Sequence, residues 1–233
     1  MNKVNVFSWM MSFLFFCVAS AQNDKDSLSI QLNLRFKSQP LQLNQSYVSK
    51  TDTLEVSVLK FYLTSFEIQY EDGTSSVEKN SYHLVDASDV KSQEIRLSTH
   101  VSKEISTIKF NIGVDSIASV SGALAGDLDP SNGMYWAWQS GYINFKLEGK
   151  SNRCPTRKNK FQFHLGGYEA PLYAMRTIEL PFNRTLKNNE MALILDVAPF
   201  FNAIDLAQTN TIMIPSEKAM QLSDLTVQLF SIE

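Results

Sequence analysis

Residues 28–36 read Leu-Ser-Ile-Gln-Leu-Asn-Leu-Arg-Phe. Apolar side chains stand at Leu28, Ile30, Leu32, Leu34 and Phe36, and polar ones at Ser29, Gln31, Asn33 and Arg35. In extended backbone, successive side chains leave opposite faces, so this run has one dry face and one wet face. A helix would scatter the five apolar groups around its axis. The same two-residue period recurs at residues 66–70, 108–114, 143–147, 161–165 and 225–229. Further strands are predicted at residues 54–59, 82–85, 94–97, 176–181 and 191–197. Half-polar strands of this kind belong to antiparallel sheets with one wet face. No stretch of about 10–15 residues between them carries a helical period, which argues against alternating strands and helices. The predicted fold is therefore all-β, an antiparallel β-sandwich or distorted barrel of about 9–11 strands. Short helices are expected at residues 200–207 and 216–222, the second opened by Pro215-Ser216 and Glu217.

The chain has 233 residues, and the first 21 have the pattern of an export signal. Lys3 supplies a thin basic start, residues 13–18 an apolar run, and Ala19-Ser20-Ala21 a small-residue cleavage site. The run is too short to span a bilayer. Cys17 raises the rival reading of a lipid anchor, but Phe15-Phe16 stand where a lipobox places a small residue. Cleavage after Ala21 leaves 212 residues with 20 basic and 24 acidic side chains, two Trp, one Cys and three His. The expected organisation is a signal at 1–21 and one β domain at 22–233, in a periplasmic or secreted location.

These counts exclude several classes. A single cysteine, Cys154, makes no internal disulfide and no thiolate zinc cluster. A mildly acidic chain without basic clusters does not suit nucleic acid. After the signal no apolar run reaches membrane-spanning length. About 200 residues bury roughly 70% of the unfolded surface, so the domain needs no staples. No G-x-S-x-G, P-loop or H-E-x-x-H is present, and the chain reads as non-enzymatic.

The longest stretch without strand pattern is residues 115–139, and loops of that length are often functional. Asp129-Pro130-Ser131-Asn132-Gly133 is turn chemistry. An EF-hand starting at Asp127 would need Gly where Asn132 stands and Glu where Trp138 stands. Asp115, Asp127 and Asp129 instead suit turn caps that bond their own backbone. Met134, Tyr135, Trp136 and Trp138 follow. In extended backbone the two indoles share a face. They form either a core plug, each N–H seeking an acceptor, or the wall of a binding site.

Three histidines remain. His83 and His100 read as surface or hydrogen-bonded residues. His164 sits opposite Phe161 and Phe163, facing water or a second layer, with Gly166-Gly167 beside it. Cys154 lies among Arg153, Arg157, Lys158 and Lys160, whose charges would lower a thiol pKa; the reading is an exposed loop cysteine without function.

The chain resembles the MbnP-like domain class of copper-binding proteins. The resemblance rests on residues 61–68 (FYLTSFEI), 82–86 (YHLVD) and 110–116 (FNIGVDS). It continues through Leu128-Asp129-Pro130, residues 133–138 (GMYWAW), 141–149 (GYINFKLEG) and 163–168 (FHLGGY). It covers nearly all of the mature chain. It implies an exported β-rich domain that handles copper without catalysis. It also implies a metal site of histidine and tryptophan, here His164, Trp136 and Trp138, and a partner di-haem peroxidase of the MauG-like kind. Some members carry a tryptophan oxidised to kynurenine, which would be Trp136 or Trp138 here, with Trp136 favoured. Trp138 stands where some relatives have a histidine, and Thr209-Asn210-Thr211 lacks one near the C-terminus. The alternative reading is a metal-free binding module of the same fold that meets a protein or small molecule through the Trp136/Trp138 surface.

Overall fold

The alternation at residues 28–36 forms a ten-residue strand whose five apolar side chains are all buried. The computed structural model describes residues 27–50, 52–99, 102–138 and 141–233. The signal assigned to residues 1–21 and the side chain of His100 lie outside these. In chain order the strands are β1 (Ser27–Phe36), β2 (Gln39–Pro40), β3 (Ser46–Val48), β4 (Thr53–Tyr70), β5 (Ser75–Val77), β6 (Tyr82–Asp86), β7 (Glu94–Ser98), β8 (Ile105–Ile112), β9 (Tyr135–Trp136), β10 (Gly141–Ser151), β11 (Lys160–Gly166), β12 (Tyr168–Glu169), β13 (Leu172–Tyr173), β14 (Arg176–Pro181), β15 (Glu190–Asp196), β16 (Thr211–Ile212) and β17 (Phe230–Ile232). Three short helices join them, α1 (Ser116–Val120), α2 (Ala198–Ala203) and α3 (Glu217–Thr226). Among the described residues nine strands have five or more residues, and eight have two or three.

β12 and β13 form a two-stranded sheet of their own; of the two large sheets, the smaller runs β17-β15-β1-β2, with β7 also on β1. The larger runs β14-β8-β4-β10-β11-β16; β3, β5 and β6 add to β4, and β9 adds to β10. The sheets are mixed, which corrects the antiparallel expectation. β1 and β15 pair in parallel from Ser29↔Glu190 to Arg35↔Asp196, and β11 pairs in parallel with β16. Alternation assigns faces but carries no strand direction, so it cannot distinguish the two pairings.

β4 merges two strands expected separately. Its inward side chains are Leu54, Val56, Leu59, Phe61, Leu63, Phe66, Ile68 and Tyr70. The period slips by one residue twice, where register shifts mark bulges against β10 and β8. Ser65 takes a left-handed φ of 54° at the second slip. Each extra residue flips the parity of the residues after it, so one strand reads as several.

Residues 225–229 are helical rather than extended. Ser216 Oγ caps α3 by accepting the Ala219 N–H at 3.1 Å, and Ala219, Leu222, Ser223 and Thr226 are buried at helical spacing. A short apolar run satisfies both periods, and the cap decides between them.

The main core lies between the two sheets. Phe230 of β17 meets Phe61 of β4 and Phe110 of β8, with ring centroids 5.9 and 5.4 Å apart. α2 drives Phe200 against Phe163, at 5.4 Å, and Phe201 against Phe161, at 5.3 Å. Cys154 is buried in this core, not exposed as expected, and burial pushes its thiol up to about 11. Its basic neighbours lie out in solvent and do not reach it. No helix among the described residues is long and apolar enough to cross a membrane.

Candidate functional site

Residues 115–138 fold back over the outer face of the large sheet and bury a second apolar cluster there. It contains Tyr62, Val114, Ala118, Leu128, Met134, Trp136, Tyr142 and Ile143. Tyr62 points outward because it alternates with the inward Phe61 and Leu63. The segment expected as a long loop is built from short pieces. These are α1, single 3-10 turns at Gly126–Leu128 and Pro130–Asn132, and β9.

Its backbone is tied down from the sheet. The Tyr62 hydroxyl donates to the Asp127 carbonyl at 2.9 Å, and the Tyr142 hydroxyl to the Leu128 carbonyl at 2.9 Å. Burial pushes both phenols up, so they remain donors at neutral pH. Lys60 Nζ donates to the Asn132 carbonyl at 3.2 Å, and Lys146 Nζ to the Gly133 carbonyl at 3.1 Å. Asp115 caps α1 through the Ala118 N–H, and Asp129 bonds the Ser131 N–H. Asp127 departs from its expected role: its carboxylate accepts the Leu84 N–H of β6 at 2.8 Å. Tyr82 donates to Asp115 at 2.6 Å, and burial with that bond pushes its phenol up to about 12.

The three predicted metal residues lie on the outer side of the larger sheet, where the two indoles meet and His164 bonds Glu148. Trp136 is buried, and its ring lies over Gly166, where an added Cβ would sit 2.8 Å from Cζ3. Trp138 is 65% exposed, yet its ring centroid is 5.9 Å from that of Trp136, with the planes tilted by 47°. Only Tyr135 and Trp136 are extended, so the indoles meet across a turn rather than along a strand face. His164 stands two residues before Gly166 on the same face of β11. Its Nε2 is 2.6 Å from Glu148 Oε1, and Glu148 lies opposite Gln162, on the side away from Trp136.

The His164 hydrogen bond outweighs burial and, with Lys146, holds the Glu148 carboxyl below the usual carboxylate range. Lys146 Nζ lies 3.7 Å from the same oxygen. Lys60, Lys146 and His164 stand directly opposite one another across β4, β10 and β11, and Lys60 also pairs with Asp86 at 2.8 Å. His83 is bonded to Glu78 at 2.9 Å, as a hydrogen-bonded surface histidine should be.

Few donors to a metal are gathered here. Indole nitrogen carries a hydrogen and donates only. Met134 is fully buried in the apolar cluster. One imidazole remains, and among the described residues no three His, Cys, Asp or Glu side chains are grouped to hold a metal. Lys60, Lys146, Glu148 and the two tyrosines were not singled out in the sequence. Lys60 left a signal: it is the only charge between Glu55 and Glu67, inside an apolar strand.

Fold and site together define an all-β sandwich with a tryptophan-bearing loop packed on the outside of its larger sheet. A sequence profile of the MbnP family matches residues 25–214, and the chain belongs to that family. Among solved structures, MbnP from Methylosinus trichosporium is similar, with a TM-score of 0.55 over 78% of this chain and 79% of that one. Identity is 13%, so this likeness is one of fold. No curated protein sequence matches the chain.

Proposed function

We propose that this chain is an exported, non-enzymatic binding module of the MbnP family whose working surface is the Trp136/Trp138 pair. The observation that carries the reading is the exposure of Trp138. A large indole left 65% open to water, backed by a second, buried indole, is an apolar contact surface. α1 packs on β10 and adds exposed Ile117 and Val120. Residues 116–126 carry no charged side chain. Such a surface suits a partner that presents its own apolar face, with the pair as anchor. Export is supported by the pattern of residues 1–21.

A photo-crosslinking residue at position 138, compared with one at exposed Val90, tests this in the native cell envelope. A discrete adduct at 138 alone is expected. Equal labelling from both positions would sink the reading.

Copper is the competing ligand, and one arrangement favours it. A carboxylate on one ring nitrogen of a histidine, as Glu148 provides for His164, is the usual support of a metal-bound imidazole. The family's MauG-like peroxidase partner belongs with this reading. Titration with Cu(I) against a competing chelator decides it. Binding that is strong in the parent and lost in His164→Ala would establish copper handling, whereas equal weak binding in both removes it.

A further inference from the structure

Two lysines directly opposite one another on adjacent strands are an unfavourable arrangement, because like charges repel. Lys60 and Lys146 form such a pair on β4 and β10, with His164 next in the row on β11. Asp86 and Glu148 offset part of it. The remainder is met by the loop, which places two consecutive carbonyls, those of Asn132 and Gly133, on the two ammonium groups. Gly133 makes this possible. It takes a left-handed φ of 72° and ends the 3-10 turn Pro130–Asn132, so the chain reverses over the row. Three residues later Trp136 reaches Gly166, and Trp138 rests on Trp136.

We propose that Lys60 and Lys146 are the positioning residues of the tryptophan pair: their ammonium groups hold the Asn132 and Gly133 carbonyls and thereby set the indole–indole geometry. The chain's own cations do here what a bound cation does in a metal-organised loop. Each lysine bonds a loop carbonyl through its Nζ–H, so the contact is directional as well as electrostatic. The inference rests on the reading of the pair as the working surface, but its test needs no ligand and fails separately from it.

Two indoles 5.9 Å apart and tilted by 47° give an exciton couplet in circular dichroism. The couplet should vanish in Trp138→Phe, which identifies its source. Lys60→Met and Lys146→Met should each reduce it at least twofold at a temperature well below unfolding, and the double variant should lose it. Lys146→Arg, which keeps a cationic donor, should recover most of the amplitude. A strong metal chelator should leave the parent's couplet unchanged. A folded double variant with full amplitude would overturn the proposal, and so would loss of the parent's couplet on chelation. Should the double variant fail to fold, full amplitude in both single variants overturns it equally.

Discussion

Gly166 has no side chain because the Trp136 ring and the Tyr142 carbonyl occupy the space where one would go; an added Cβ would stand 2.8 and 2.5 Å from them. At this scale the site is a set of close fits, and His164 is part of one. Its imidazole Nε2 is bonded to Glu148, and that bond is the largest cause of the depressed carboxyl pKa. The sign of the pH effect is set by that depression. A carboxyl whose folded pKa is depressed adds stability above its unfolded pKa of about 4.3 and loses it as pH falls through the folded value. Glu148→Gln should therefore cost about 1 kcal/mol at neutral pH, and the gap should close as pH falls below about 4. Urea midpoints of parent and variant at pH 7 and pH 3 measure this, and a gap independent of pH would exclude the ionised bond.

Elements were legible where a single period ran unbroken. β1, β8, β11 and β14 fall where alternation or composition placed them, within a few residues at their ends. β4 was read as separate pieces because two bulges reverse its parity. The C-terminal run was read as a strand because Leu225, Val227 and Leu229 alternate, although the Ser216 cap commits the preceding segment to helix. That cap is also testable. Ser216→Ala removes the acceptor of the Ala219 N–H and should cost about 1 kcal/mol, while Ser216→Asp should restore most of it. In a domain of this size that loss is about 2–4 °C in melting temperature. An unchanged melting temperature in the alanine variant would mean that packing alone holds α3.

At the scale of the whole molecule, β1 is the keystone of the smaller sheet, and its parallel partner β15 lies more than 150 residues away in the sequence. The core between the sheets closes only when both ends of the chain are in place. Cys154 reports on that closure, because its thiol is 1% exposed and its pKa is pushed up by burial. A thiol reagent should not label it in the native protein. Labelling in mild denaturant should proceed at the rate set by global opening. Fast stoichiometric labelling of the native chain would place Cys154 in a locally opening segment instead.

The sequence by itself determined the β class, the face that each strand of unbroken period buries, and the family. These depend on side-chain polarity at a period of two and on an ordered series of motifs, both of which are written locally. It also placed Trp136 and Trp138 in one loop and left His164 as the one histidine near them. Tertiary structure alone decided the mixed direction of the sheets, the burial of Cys154 and the burial of one indole beneath an exposed one. It also decided that Lys60, Lys146 and His164 stand in a row beneath a loop whose carbonyls the two lysines hold. Register between distant strands sets those outcomes, and no local pattern carries register across residues 60, 146 and 164.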